Sequence, residues 1–408
     1  MLHLPRHFNH PRGAKLVRES LAPPKGHVLV KIESSKVKPS PKSPCISSCN
    51  YLASYTQLDR GDSSILIPGR PPLWTPPRKV LKLQDAPAPP KLRVPKAPKE
   101  QPYPWEASFE AIRRQNPGYN FQRTDIVTCA AILRSLFDFI RGISADIRFI
   151  MERMGKTVVF IRREVPPPIL LPEAHNFDAD FVKKYTKWED EAAKCKSNQR
   201  IIQYNFGGIH MVVRSESDAY IRDQKMDSEG GTESTKHKAN IDSPTEGIGG
   251  LWVYEGGEPV AQNQILETNV RSMYNDVGNL RRIDMTTIFP RLWASQIPNL
   301  AVGYHKKGVM KSLRVSDMKE ELLKWERDNE YHLSRLAHLL NDLTGHARAS
   351  PARLEVCRDG HGALEICQLA PRDAPKAVSP EMKLYFDNLR KSGNGSATGA
   401  RRPPSKIK

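Results

Sequence analysis

Two apolar runs in the middle of the chain share an alternating pattern that predicts extended strands. In the first run, Ile209, Met211 and Val213 lie two residues apart, and a period of two is typical of a strand with one buried face. The same run leads into Glu216 and Asp218, which are also two apart. A strand that continues to Asp218 therefore carries both carboxylates on one face.

The second run reaches polar residues in the same way. An apolar segment that ends at Leu266 leads into Glu267, Asn269 and Arg271, which share one face of an extended chain. Two strands that bring acidic side chains to a common edge favour a divalent-cation site, because hard cations such as Mg²⁺ take convergent carboxylate oxygens.

Two interpretations of these acids stay open at this point. As metal ligands, Glu216, Asp218 and Glu267 would meet in a cleft within about 5 Å of one another, since each oxygen lies roughly 2.1 Å from the ion. As ordinary acids at strand ends, the three side chains would instead pair with Arg214 and Arg271, which are close in sequence.

The remaining pattern predicts helices and hairpins in mixed order. Apolar residues at steps of three and four predict helices over 126–142, 177–195 and 316–343. Alternating segments around Gly155 and Gly308 predict hairpins. The predicted fold class is α/β (α+β), with a mixed central sheet flanked by helices.

Proline and charge divide the 408 residues into three regions. Residues 1–100 hold 17 of the 34 prolines, and 18 Lys and Arg stand there against 6 Asp and Glu. This composition predicts a mostly disordered basic region with a docked strand at 64–77. Residues 101–370 form the predicted folded domain with a disordered insertion at 222–250, and residues 371–408 a disordered basic tail.

The positive charge follows the same division. Most of the formal net charge of +18 belongs to the first hundred residues, which indicates a solvated arm or one that makes salt-dependent phosphate contacts. The six scattered cysteines favour a reducing compartment, and no apolar run approaches the roughly 18 residues of a membrane span. We expect a nuclear or cytoplasmic protein, with a mitochondrial location left open by the basic start of the chain.

The acidic pattern resembles the PD-(D/E)XK nuclease superfamily, and in particular its branch of RNA 5′-end decapping and pyrophosphohydrolase enzymes. The resemblance covers roughly residues 102–343 and implies a core like that of restriction endonucleases. Glu216 and Asp218 match the E-x-D of the family, and Glu267 matches the Glu of its E-x-K. Asn269 stands at the position of the family's Lys.

The resemblance implies further roles for single residues. The carbonyl of Thr268 would add a metal ligand, and Gln296 lies within one residue of the branch's active-site Gln. Arg271 is a candidate to compensate for the missing lysine charge. Superfamily members often take one more ligand Glu from a preceding helix, for which Glu189 and Glu191 are candidates. The implied cofactor is Mg²⁺ or Mn²⁺, and the implied partner is a nucleic acid, RNA before DNA, with no membrane.

The resemblance therefore implies a metal-dependent nuclease or RNA 5′-end phosphohydrolase, with Asp218, Glu267, Asn269 and Gln296 as its catalytic set. Loss of the lysine charge favours an alternative, a catalytically inactive domain that binds nucleic acid or protein as a scaffold. The chain also looks like a fungal group often labelled geranylgeranyl pyrophosphate synthase. Prenyl diphosphate synthesis needs paired D-D-x-x-D motifs, and the sequence contains none.

Overall fold

The structure is a computed structural model. It describes residues 26–60, 63–84, 103–163, 177–189, 194–222, 240–274, 278–281, 283–369 and 375–394. None of the helices within these ranges is long and apolar enough to cross a membrane.

Strands and helices alternate irregularly along the described residues. The strands are β1 (His27–Ile32), β2 (Ile46–Leu58), β3 (Ser64–Ile67), β4 (Leu73–Trp74), β5 (Ile126–Cys129), β6 (Ile147–Met154), β7 (Thr157–Arg162), β8 (Thr186–Lys187), β9 (Cys195–Phe206), β10 (Ile209–Glu216), β11 (Ala219–Tyr220), β12 (Asn240–Glu246), β13 (Trp252–Glu255), β14 (Ile265–Ser272), β15 (Asn299–Lys306), β16 (Val309–Asp317), β17 (Leu354–Arg358) and β18 (Leu364–Gln368). The helices are α1 (Glu106–Gln115), α2 (Ala130–Ile140), α3 (Asp178–Tyr185), α4 (Met285–Ser295), α5 (Lys319–Asp328), α6 (Glu330–Ala349) and α7 (Pro380–Asn394).

The described strands form two sheets. The order across the larger sheet is β1, β18, β17, β6, β7, β5, β10, β9, β2, β3, β13, β12, and across the smaller sheet β16, β15, β14, β11, β4, β8. The larger sheet is mixed, because β10 runs parallel to β5 on one side and antiparallel to β9 on the other. Mixed sheets with helices packed against them confirm the predicted fold class.

Helices cover both faces of the larger sheet. Leu133 of α2 and Leu336 of α6 belong to the core on one face, and Phe109 of α1 and Met382 of α7 belong to the core on the other. Helix α4 joins the two sheets, because Trp293 packs in the core of the larger sheet while its neighbour Leu292 packs against the smaller one. This shared helix fixes how the two sheets meet, and the acidic residues lie at that junction.

The N-terminal region contains much more structure than the composition predicts. Strand β1 pairs with β18, and β2 lies between β9 and β3 with residues 52–56 buried. The expectation of a mostly disordered region up to residue 100 is therefore wrong for residues 27–58. A polar strand such as β2 shows no long apolar run, and only pairing on both sides stabilises it. Strands β3 and β4 lie within 64–77.

Two more segments differ from their predicted disorder. Strand β12 lies inside the predicted insertion and pairs with β13. Helix α7 lies inside the predicted C-terminal tail, and its Met382 packs in the core. Residues 223–239, 370–374 and 395–408 lie outside the described residues.

All three predicted helices are shorter than their apolar repeats. The helix predicted over 126–142 covers Ala130–Ile140, because Ile126–Cys129 forms β5. The segment 316–343 forms α5 and α6, which meet at Asn329 because its backbone has the non-helical angles φ −108° and ψ 12°. The helix predicted over 177–195 ends at Tyr185, where the next residues form β8 and pair with β4.

A buried ion trio joins three neighbouring strands of the larger sheet. The side chain of Glu355 on β17 is 0% exposed and accepts two hydrogen bonds from Arg148 of β6, at 2.9 and 3.1 Å. Arg163, which follows β7, adds a third at 2.7 Å. Burial by itself would raise the pKa of Glu355, but the hydrogen bonds and charges of the two arginines outweigh it and hold this pKa below its usual range.

The turn between β9 and β10 leaves no room for a side chain. Gly207 has a positive φ of 56°, and a Cβ added to it would lie 2.5 Å from the Cβ of Ala337 on α6. We expect Gly207→Ala to lower the free energy of unfolding by about 2 kcal/mol, since both overpacking and the left-handed backbone oppose it. Gly142→Ala is the matched control, because Gly142 has φ 74° and a Cβ added there would meet nothing within 4 Å. Urea unfolding of both variants separates the contact from the backbone effect, and equal losses would contradict the role of the contact.

Candidate functional site

The chain crosses from one sheet to the other between the two acids of the E-x-D motif. Strand β10 of the larger sheet ends at Glu216, and β11 of the smaller sheet begins at Ala219. At the crossing, the backbone N–H of Ser217 donates to the carbonyl of Asn198. The prediction that Glu216 and Asp218 share one strand face is therefore wrong, because the strand ends between them.

Asp218 is bound to the edge of β14. Strand β11 pairs with β14 only at Ile265 and Leu266, so the next residues of β14 have no strand beside them on that edge among the described residues. The Oδ2 atom of Asp218 accepts hydrogen bonds of 2.8 Å from both the backbone N–H and the hydroxyl of Thr268. Thr268 is thus in direct contact with Asp218, while the predicted role of its carbonyl stays a prediction.

A second aspartate lies on the same edge two residues further on. Asp178, the first residue of α3, accepts a hydrogen bond from the backbone of Val270. Burial raises the pKa of Asp178, and the negative charge of Asp218 adds to the rise. Two carboxylates therefore accept the backbone hydrogen bonds of β14 that a neighbouring strand would otherwise accept.

Glu267 lies on the face of β14 that packs against α4. Its side chain is 8% exposed, and its Oε1 lies 2.8 Å from Nη2 of Arg291 on that helix. Burial raises the pKa of Glu267 to about 8, the charges of Asp218 and then Glu216 add to the rise, and Arg291 opposes it. The charges of Asp218 and Glu216 thus act on the pKa of Glu267, while the predicted meeting of the three carboxylates as metal ligands stays a prediction.

The polar residues that follow Glu267 interact with each other. The Nε of Arg271 donates to Oδ1 of Asn269 at 2.8 Å, so the two side chains share one side of the strand as predicted. Arg271 is thus held by the amide, and the guanidinium that contacts Glu267 belongs to Arg291. The expected compensation by Arg271 stays a prediction, but the observed ion pair does not involve it.

The other predicted partners point elsewhere. Gln296 ends α4 with φ 52°, and its side-chain amide donates to the carbonyl of Trp293 at 2.7 Å, at its own helix end. Arg214 donates to Ser108 and to the carbonyl of Pro104, and its guanidinium lies 4.3 Å over the ring of Trp105. A strand-end pairing of the acids with Arg214 is therefore not observed among the described residues.

A wide cleft of about 1210 Å³ opens beside these residues. Asp178, Asn269 and Arg271 lie in its wall, whereas Glu216, Asp218 and Glu267 do not line it. Further cations in the wall are Lys82, Arg281 and Lys307, and the aromatic side chains are Phe177, Tyr274 and His305.

The carboxylates do not fit a divalent cation as they are arranged here. Within the described ranges no group of three or more His, Cys, Asp or Glu side chains is placed to hold a metal ion. Asp218 is engaged by Thr268, and Glu267 is engaged by a guanidinium. The acids therefore come near one another without forming a shared set of ligands.

Two residues of this site are absent from the sequence prediction. Asp178 is the first residue of a helix, and the apolar repeat that predicts this helix does not single it out. Arg291 lies on the buried side of α4, one residue after Pro290. A charged residue on the apolar face of an amphipathic helix is the signal that would have indicated Arg291. The proposed helix acid Glu189 instead pairs with Arg70 and Arg222 and accepts from Tyr220, and Glu191 lies outside the described residues.

A comparison with protein families places this chain. A family model described as a domain of unknown function, DUF8563, matches residues 27–357. The chain belongs to the DUF8563 family. Its match begins at the first strand, in agreement with the structured N-terminal region of this DUF8563 protein. No curated protein matches the chain.

Solved structures of Rai1 proteins share the fold of this DUF8563 chain. Candida albicans Rai1 in complex with pU5-Mn²⁺ is 9% identical with a TM-score of 0.59, covering 89% of this chain and 100% of that one. Scheffersomyces stipitis Rai1 in complex with (3′-NADP)⁺ and calcium is 9% identical with a TM-score of 0.58, covering 91% and 100%. S. pombe Rai1 in complex with 3′-FADP is 13% identical with a TM-score of 0.53, covering 84% and 100%. At these identities the likeness concerns the fold alone.

Proposed function

We propose that this DUF8563 protein binds the 5′ end of a single-stranded RNA in the cleft beside β14. The observation that carries the proposal is the continuity of the cleft with the charged group, since Asp178, Asn269 and Arg271 belong to both. The cleft wall supplies cations for the phosphates and, in Tyr274, an exposed ring on which a base can stack, the two features that single-stranded nucleic acid binding needs. The Rai1 of Candida albicans, which has the same fold, was solved with pU5.

The 5′ end of the RNA, rather than an internal stretch, fits the part of the cleft wall that contains Asp178, Asn269 and Arg271. The carboxylate of Asp178 repels a continuous phosphate backbone, whereas Arg271 in the same wall can bind one terminal phosphate through charge-assisted hydrogen bonds. Unstacked RNA ends also expose their bases to aromatic side chains. A terminal phosphate is therefore the group that this arrangement selects.

The proposal predicts a preference for a phosphorylated end. We expect 5′-phosphorylated single-stranded RNA to bind about tenfold more tightly than the same RNA with a 5′-hydroxyl, the effect of roughly one charged hydrogen bond. Fluorescence anisotropy at about 50–200 mM salt measures this, with duplex DNA of equal length as the control ligand. Equal affinity for the duplex, or no saturable binding at the lowest salt concentration, would refute the proposal.

A second candidate function is hydrolysis of the bound end by a divergent metal-dependent nuclease or 5′-end phosphohydrolase with Mg²⁺ or Mn²⁺. It is favoured by the electrostatic influence of the three acids on one another, since the charge of Asp218 raises the pKa of both Glu216 and Glu267. Asn269 and the ion pair of Glu267 with Arg291 oppose it, because a neutral amide replaces a cation and a guanidinium already contacts the carboxylate.

Hydrolysis is tested on the same RNA in Mn²⁺. We expect the unmodified protein to leave the RNA intact, and Asn269→Lys to show whether an added ammonium restores cleavage. Gel analysis of end-labelled RNA gives the readout. Cleavage by the unmodified protein that disappears in Asp218→Ala would establish the second candidate instead.

A further inference from the structure

We propose that Arg291 is a built-in cation for Glu267, and that this protein holds its carboxylate group together without a divalent metal. The proposal concerns the site described above and stands without RNA, since cation binding can be measured alone. It begins from one contact: Nη2 of Arg291 lies 2.8 Å from Oε1 of Glu267. A positive charge is therefore already present beside the most buried of the acids.

The position of Arg291 is fixed by its helix. Leu292 and Trp293, the next two residues, are both buried, and the indole N–H of Trp293 donates to Glu326 of α5 at 2.9 Å. The carbonyl of Arg291 itself accepts from the hydroxyl of Ser295 at 2.7 Å. The backbone therefore cannot move away from β14 without breaking the core that joins the two sheets.

The guanidinium of Arg291 keeps unused hydrogen-bonding capacity beside Glu267. Its Nε and Nη2 are buried, and within the described residues neither has a partner in hydrogen-bond geometry, so the contact with Glu267 is one of charge at short distance. Buried donors without a well-aligned acceptor are costly and are normally satisfied by a protein group or ordered water. The guanidinium can therefore donate hydrogen bonds, as well as charge, to the carboxylate beside it.

The other acids are also stabilised by the protein itself. Asp218 accepts two hydrogen bonds from Thr268, and Asp178 accepts one from Val270. Arg134 of α2 is close enough for its pKa to respond to both Arg291 and Glu267. Arg291 and the backbone amides of β14 thus contact these acids from within the protein, and a divalent ion beside Glu267 would meet the like charge of Arg291.

The test compares two substitutions of the same chemistry. Arg291→Met removes the charge at the site, and Arg314→Met removes an exposed arginine of β16 that bonds only to Ser316 among the partners described. Isothermal titration with MnCl₂ alone, at about pH 8, gives the dissociation constants. We expect the unmodified protein and Arg314→Met to show no binding of Mn²⁺ at concentrations up to about 1 mM. For Arg291→Met we expect a dissociation constant at least roughly tenfold below that concentration.

Two further measurements complete the design. Asp218→Ala added to Arg291→Met should remove the Mn²⁺ binding, and Arg291→Gln repeats the test with a polar side chain if the methionine variant does not fold. Titration of the unmodified protein needs no variant, and Mn²⁺ binding there that Arg291→Met leaves unchanged or weakens would overturn the proposal. Loss of RNA binding in every sample, with the Mn²⁺ result as expected, would overturn the proposed function and leave this inference standing.

Discussion

Simultaneous replacement of Lys82, Arg281 and Lys307 by alanine is expected to weaken binding of single-stranded RNA about 100-fold at roughly 0.1 M salt. The three side chains lie in the wall of the cleft and outside the group of acids. Each contact with a phosphate of a single strand releases about 0.7 counterions, which corresponds to roughly a fivefold gain in affinity at this salt concentration. Three such contacts multiply to about two orders of magnitude.

The salt dependence gives an independent readout of the same substitution. The slope of log K against log salt should become shallower by about 2, because three phosphate contacts are lost. Replacing Lys38, Lys324 and Lys383 by alanine removes the same charge from exposed positions away from the cleft. If the control variant loses as much affinity as the cleft variant, the effect is one of net charge and the cleft is not the RNA site.

Replacing Glu355 by glutamine is expected to lower the free energy of unfolding by about 3–5 kcal/mol, the usual cost of leaving buried charge without its partner. The substitution keeps the shape of the side chain but leaves Arg148 and Arg163 without this counter-charge in the larger sheet. The melting temperature should fall by roughly 10 °C. Calorimetry and urea unfolding at about pH 7 measure both quantities.

The pH dependence of this loss follows from the depressed pKa of Glu355. A carboxyl whose pKa is lower in the folded than in the unfolded protein stabilises the fold above its unfolded pKa of about 4.3, and that stabilisation is lost as pH falls through the folded pKa. The difference between the two proteins should therefore be largest near about pH 7 and shrink below about pH 4. A constant difference down to about pH 3 would contradict the ionic explanation.

A surface pair provides the reference for the buried one. Glu33 and Lys36 form an exposed ion pair of 3.1 Å, so Glu33→Gln should cost less than about 0.5 kcal/mol. A comparable loss in both variants would mean that the amide, rather than the buried charge, is responsible.

Periodicity predicts those elements whose apolar residues face a single core. The helix α2 and the hairpin of β6 and β7 follow from such patterns, and so does the mixed fold class. Strand β2 does not, because its stability comes from pairing with β9 and β3 rather than from its own side chains. The long repeat over 316–343 fails for a related reason, since one non-helical residue, Asn329, divides it without interrupting the pattern.

The candidate site shows the same limit. Alternation correctly brings Asn269 and Arg271 to one side of β14, because neighbours on a strand are fixed by local geometry. It fails between Glu216 and Asp218, where the chain changes sheets. It also fails to find Asp178 and Arg291, since each comes from a helix distant in sequence.

The sequence by itself determined which acids this protein has, that a neutral asparagine stands among them, and that helices and strands mix in its fold. The tertiary structure alone decided which groups contact those acids. Local spacing fixes only neighbours along one strand or helix, whereas the partners of Glu267 and Asp218 are set by the junction of two sheets around α4, where Arg291 and the open edge of β14 come together.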